Sequence, residues 1–182
     1  PPSPPPPLSP CHRRFVVLNF LNATTVYSNL GGMGPNFVDN ATGLPNDQAI
    51  RFGNVGKTHR GEIIDVVVSN LTEYLPTTTA WNKLDGQGFA NINMDSFSDT
   101  SKGWNQCTLR YTFYHHHLGD RKHEVLHLDT FAWTFYDFDQ DPVGNGVGRE
   151  CMEVDCSTGG ICFDSEQHGH RVSYDGQEFC ST

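Results

Sequence analysis

Residues 62–68 read Glu-Ile-Ile-Asp-Val-Val-Val, and five of these seven side chains are β-branched. A β-branched side chain is stiff in a helix and packs well on a pleated surface, so the run predicts a strand buried on both faces. Similar signals recur along the chain. Residues 15–21 are a short apolar run, and 89–94 alternate with Ala90, Ile92 and Met94 on one side. Leu109, Tyr111 and Phe113 alternate against Thr108, Arg110, Thr112 and Tyr114. Residues 124–138 carry Val125, Leu126, Leu128, Phe131, Trp133 and Phe135, and 171–174 precede an Asp175-Gly176 turn. A further short strand is expected at 49–52, inside the long 29–61 segment. Glycine-rich stretches at 31–35, 85–88 and 144–148 mark loops. No window shows a capped 3.6-residue period, and no internal repeat is visible. Several strands at roughly ten-residue spacing without interleaved helices predict an all-β chain, an antiparallel β-sandwich or jelly roll.

Residues 1–10 read PPSPPPPLSP, with seven prolines in ten. Proline fixes φ and lacks an N–H, so this segment joins neither a helix nor a central strand. It is expected as a polyproline II rod of about 3.1 Å per residue, on the order of 30 Å long, leading into one domain at 11–182. With no initiator Met and no signal peptide, the chain is expected to be processed or partial.

Six cysteines stand at Cys11, Cys107, Cys151, Cys156, Cys162 and Cys180. An even count in a chain of this size fits a disulfide framework in an oxidising compartment. The alternative, structural zinc, normally uses a short C-x2-C knuckle that these spacings lack. Four cysteines crowd the last thirty or so residues, so the C-terminal region is expected to hold two bridges, with Cys11 tied to Cys107; six cysteines allow fifteen pairings, and spacing does not choose among them. Asn22, Asn40 and Asn70 each open an N-x-[ST] triplet and are the expected N-glycosylation sites.

Ser3-Pro4-Pro5-Pro6-Pro7 resembles the Ser-Pro4 unit of extensins. The whole arm is similar to the rods of hydroxyproline-rich extracellular glycoproteins of plants and green algae, such as pherophorins. The resemblance covers residues 1–10 and implies a setting rather than an activity. Pro4, Pro5, Pro6 and Pro7 would be hydroxylated and carry short glycans, and the rod would link globular domains of a wall, matrix or flagellar-surface polymer.

Three constellations carry possible chemistry. Asp137, Asp139 and Asp141 alternate directly after a predicted strand, with Asp129 further back, and converging carboxylates suit Ca²⁺. The run is no EF-hand, because its sixth position is Pro142 and its twelfth Gly148. The bland alternative is a solvated acidic turn. The histidines His115, His116, His117, His123 and His127 surround an expected Leu118-Gly119-Asp120 turn. Alternation puts His115 and His117 on one face and His116 on the other, and no ligand spacing favours zinc or copper over a polar hairpin tip. Among the aromatics, Trp133 is expected in the core, whereas Trp81 and Trp104 lie in polar stretches and are expected at the surface, available to a glycan or a neighbour.

Acidic residues outnumber basic ones 21 to 12, for a formal charge of −9. That balance speaks against nucleic acid, and no apolar run is long enough to span a bilayer as a helix. No nucleophile, base and orienting group can be assembled, and no hydrolase, P-loop or dinucleotide motif occurs, so no enzyme is expected. The expectation is an extracellular structural subunit of a glycoprotein fibre or matrix. Its partners would be other copies of itself or neighbouring domains of a larger chain, and it would need no cofactor. Phe15, Val17, Leu18 and Phe20 would form a strand that completes the sheet of the next copy. The alternative is a calcium-dependent, lectin-like carbohydrate-binding module using Asp137, Asp139 and Asp141.

Overall fold

A computed structural model describes residues 16–94, 107–116, 124–128, 131–132, 151–153, 173–174 and 178–180. Strands dominate, at 40 % of the described residues, with little helix. Where sequence alone grouped 11–182 as one domain, the strands fall into two compact units, one spanning residues 15–133 and the other containing 134–182.

The first unit is built on a four-stranded antiparallel sheet. Its strands are β2 (Thr24–Ser28), β3 (Ala49–Lys57), β4 (Ile63–Asn70) and β5 (Leu109–His115), in the order β2-β3-β4-β5. The β-branched run forms β4, in the sheet interior. Its neighbours align Ile50 with Val68 and Phe52 with Val66 on one side, and Phe113 with Val66 and Tyr111 with Val68 on the other. Opposed residues share a face, so Ile50, Phe52, Ile64, Val66 and Val68 build one continuous apolar surface, and all five are buried. Leu30, Val16, Val55 and Tyr74 complete this core. Fully burying such side chains contributes roughly 1.5–3 kcal/mol each, so this face is the main source of stability in the unit.

Beyond β5 the chain returns. Val125 bridges Tyr114, His115 N–H donates to Glu124 O, and Leu126 N–H donates to Phe113 O. The reversal expected around residues 118–120 thus agrees with its described flanks, although the turn itself lies outside the described residues.

The 15–21 run departs from expectation. Only β1 (Val16–Val17) is strand, parallel to β6 (Phe131–Ala132). Leu18 then bridges Gly56, and Phe20–Asn22 closes into a 3-10 turn in which the Asn19 side chain accepts from Leu21 N–H. Val16 is buried and Leu18 and Phe20 pack on the core, whereas Val17, expected in the inserted strand, is 61 % exposed. Two-residue alternation explains the inversion, because positions 16, 18 and 20 share one side. Phe15 lies outside the described residues.

Residues 89–94 were also expected as a strand and form only a bridge between Ala90 and Leu84. Asp85 closes the turn, its carboxylate accepting from Gln87 N–H and Phe89 N–H. The pairing ends after Asn91 N–H donates to Lys83 O, because Asn93 N–H donates to the Asn82 side chain instead. Conversely, β2 was not anticipated, since Thr-Thr-Val-Tyr-Ser has no apolar alternation and a register shift falls between Thr25 and Tyr27.

The 29–48 connection is ordered by Asn29, which is buried. Its Oδ1 accepts from Gly34 N–H at 3.0 Å, and its Nδ2 donates to the carbonyls of Asn46 and Asp47. Gly34 has φ +76°, and a Cβ there would lie 2.5 Å from the Phe37 ring, so only glycine fits.

In the second unit, β7 (Cys151–Glu153), β8 (Ser173–Tyr174) and β9 (Glu178–Cys180) form a three-stranded antiparallel sheet in the order β7-β9-β8. No helix among the described residues is long and apolar enough to cross a membrane.

Candidate functional site: a buried polar cluster on the sheet

The face of the sheet opposite the apolar core carries charge. Tyr27 on β2 aligns with Arg51 on β3, and Asp65 on β4 aligns with Tyr114 on β5. Asp65 is fully buried and Arg51 nearly so. A buried carboxylate is tolerated only when paired and hydrogen-bonded. Here Oδ2 accepts from Arg51 Nε at 2.9 Å and Nη2 at 2.8 Å. Oδ1 accepts from the Asn54 N–H at 2.9 Å and lies 2.6 Å from His116 Nδ1. Asn54 holds φ +59°, a conformation asparagine tolerates better than most residues and one that turns its N–H toward the carboxylate. The Arg51 guanidinium also donates to His115 O at 3.2 Å and sits 5.7 Å from the Tyr114 ring centroid.

Because Nδ1 of His116 faces Asp65, Nε2 is the ring nitrogen left to meet a further partner. The His116 side chain is 25 % exposed, so this nitrogen belongs to a residue at the edge of the cluster rather than beneath it. Tyr27 sits at the other margin. Its hydroxyl contacts Asp47 Oδ2 at 3.5 Å, and burial, followed by the Asp47 charge, pushes it up to about 12. The cluster can orient an imidazole and present donors and acceptors to a polar ligand. No hydroxyl or thiol nucleophile hydrogen-bonds to His116 among the described residues, so the cluster does not make up a catalytic triad.

Sequence alone missed Arg51 and Asp65, and it read His116 only as part of a histidine set. A signal was present. Asp65 interrupts five β-branched residues and Arg51 interrupts Ala49-Ile50-Phe52, so each strand brings one charge into an apolar setting, and two such strands paired side by side satisfy both.

The expected sites are distributed as follows. Asn22 and Asn40 are exposed, Asn22 ending a 3-10 turn and Asn40 in the turn that follows Asp39. Asn70 is half-buried at the end of β4, and its Nδ2 donates to Thr72 O at 2.8 Å. Cys107 carries a free thiol, shifted upward by burial, so the expected bridge to Cys11 is not made. It packs beside the core at the start of β5, where a small apolar side chain suffices. Cys151 and Cys180 lie in β7 and β9. Pro4, Pro5, Pro6, Pro7, Cys11, Cys156, Cys162, Asp137, Asp139, Asp141, His117, His123, Trp104 and Trp133 lie outside the described residues.

His115 and His116 separate as alternation requires. His115 turns toward Glu62, 3.9 Å from Oε1, and His116 toward Asp65. His127 is exposed, and no group of three or more metal-ligating side chains occurs among the described residues. Trp81 is exposed, as expected, at 59 %. Tyr74 belongs to the core. Its hydroxyl is within 3.0 Å of Asn82, and it also donates to Asn93 O, closing the 74–93 loop.

Comparison with protein-family models, with curated proteins and with solved structures finds no match.

Proposed function

We propose that this chain is an extracellular, glycosylated, disulfide-bonded β-sandwich module that assembles with other copies of itself into a fibre or matrix. The observation that carries this reading is how residues 16–20 sit. Val16, Leu18 and Phe20 deliver three side chains to the core, and Phe20 meets Phe52 edge-on at 5.8 Å between ring centroids. Yet among the described residues the segment is held by little main-chain pairing. It has two parallel positions against β6, one bridge from Leu18 to Gly56, and the Asn19 N–H donating to Val55 O at 2.7 Å. Five residues separate it from a proline-rich arm in which seven of ten residues lack the N–H a ladder needs.

A short segment that fills core sites through few backbone bonds can be supplied by the same chain or by a neighbour at similar energy, which is the basis of strand exchange. Glycans at the exposed Asn22 and Asn40 would limit sideways association of sheet edges. The test is the mass and shape of the full-length secreted chain by light scattering and electron microscopy. Oligomers or fibres are expected, and a free peptide of residues 15–22 should cap them and shorten the assemblies. A monodisperse monomer at all concentrations would refute assembly.

A further inference from the structure

β7 and β9 run antiparallel with Cys151 opposite Cys180, Met152 opposite Phe179 and Glu153 opposite Glu178. β8 lines the other side of β9, with Ser173 opposite Cys180 and Tyr174 opposite Phe179. Cys180 thus stands in the central strand with a cysteine at one of its two register positions. Directly opposed residues of an antiparallel pair have Cα atoms about 4.5–5.5 Å apart and share a face of the sheet. A disulfide spans Cα separations of about 4.4–6.8 Å. The backbone is therefore already at bridging distance.

From this juxtaposition we infer that Cys151 and Cys180 are joined by a cross-strand disulfide; of the other cysteines, Cys156 and Cys162 stand six positions apart, close the shortest loop, and are assigned to each other. The inference rests on the oxidising extracellular setting proposed above and supplies what that setting leaves open. Six cysteines allow fifteen full pairings, and a 151–180 bridge taken from the β7–β9 register reduces them to three.

The sheet also has reason to need the bond. Its strands have three, two and three residues, and so small a sheet is marginal in water. The register further opposes Glu153 to Glu178, a like-charge pair that weakens the ladder. A covalent link one end of the ladder away offsets both. The bond forms by thiol–disulfide exchange with a protein disulfide oxidant of the secretory route. Each cysteine loses its thiol proton, two electrons pass to the oxidant's disulfide, and the oxidant leaves as a dithiol carrying both protons.

The test is peptide mapping of the full-length chain secreted from a eukaryotic host. The unreduced protein is alkylated, then cut with trypsin and with a protease specific for Glu and Asp. Cleavage after Glu150, Glu153, Asp155, Asp164 and Glu178 separates Cys151–Glu153, residues 156–164 and residues 179–182. The expected products are Cys151–Glu153 linked to 179–182, and a 156–164 fragment lighter by two hydrogen atoms than its dithiol form. Linkage of 179–182 to any other cysteine overturns the pairing and leaves the oxidising setting standing. Alkylation at both Cys151 and Cys180, with Cys156 and Cys162 bridged, also overturns the pairing alone. Alkylation of all six overturns the setting as well. As a second measurement, Cys151→Ser should make Cys180 newly alkylatable, and Cys156→Ser should expose Cys162 while the 151–180 link persists. A Cys156→Ser chain in which Cys180 becomes alkylatable would refute the assignment.

Discussion

His116 Nδ1 lies 2.6 Å from Asp65 Oδ1, although the β4–β5 register aligns Asp65 with Tyr114. His116 is two positions further along, on the same face, so it reaches the carboxylate diagonally. The contact sets one side of a buried charge whose other side is Arg51, and it ties the end of β5 to the middle of β4. The cluster therefore does for the polar face what packing does for the apolar one, holding three strands in a single register.

Removing the carboxylate should be costly. Asp65→Ala leaves the nearly buried Arg51 guanidinium without the oxygen that takes two of its donors, and breaking a buried pair from one side costs about 3–5 kcal/mol. The double variant Arg51→Met, Asp65→Leu should lose clearly less than the sum of the single changes, because it removes both charges together. Urea denaturation of the four proteins checks this. Strict additivity would show that the pair is not coupled.

Phe52→Ala should destabilise the first unit by about 3–5 kcal/mol, the usual cost of emptying a buried aromatic site. Phe52 is 1 % exposed and stacks edge-on with Phe20. The same substitution should also loosen residues 16–22, visible as faster amide exchange at Asn19, whose N–H is held by Val55 O.

Alkaline pH should unfold the chain along a defined window. Burial raises Tyr27 and Tyr111 from 10.0 to about 12. A group whose folded-state value is raised binds its proton more tightly when folded, so the stability it contributes is full below pH 10 and is lost as pH rises toward 12. Tyrosinate absorbance should show a class of tyrosines in the folded protein that ionises near pH 12 rather than near 10. Melting temperature should fall steadily from pH 10 upward, and a flat profile across that window would contradict it.

Asn22→Gln and Asn40→Gln should each remove one N-glycan, seen as a mass step on enzymatic deglycosylation, and leave stability within about 0.5 kcal/mol, as exposed sites do. Asn70→Gln should cost about 0.5–1.5 kcal/mol in addition, because Asn70 Nδ2 donates to Thr72 O. Thermal melts of the deglycosylated variants separate the two effects.

Strand character was legible at 62–68 and 109–114 because alternation and β-branching are local properties that act wherever the segment ends up. The loop at 31–35 was equally legible, since its glycines take backbone angles that other residues avoid. Residues 15–21 and 89–94 misled for a matching reason. An apolar run states that side chains want burial, not that the backbone finds a ladder, and the second run leaves its ladder where Asn93 N–H donates to the Asn82 side chain.

By itself, then, the sequence determined strand-rich, antiparallel character, the β-branched strand that occupies the sheet interior, and the exposure of Trp81. Only the tertiary structure decided that Arg51, Asp65 and His116 meet, that Val16 rather than Val17 turns inward, that Cys107 stays a thiol, and that Cys151 faces Cys180. Each of these depends on strand register, and register is set by pairing between residues dozens of positions apart, where loop-closure entropy and side-chain fit are weighed together and no local pattern carries the answer.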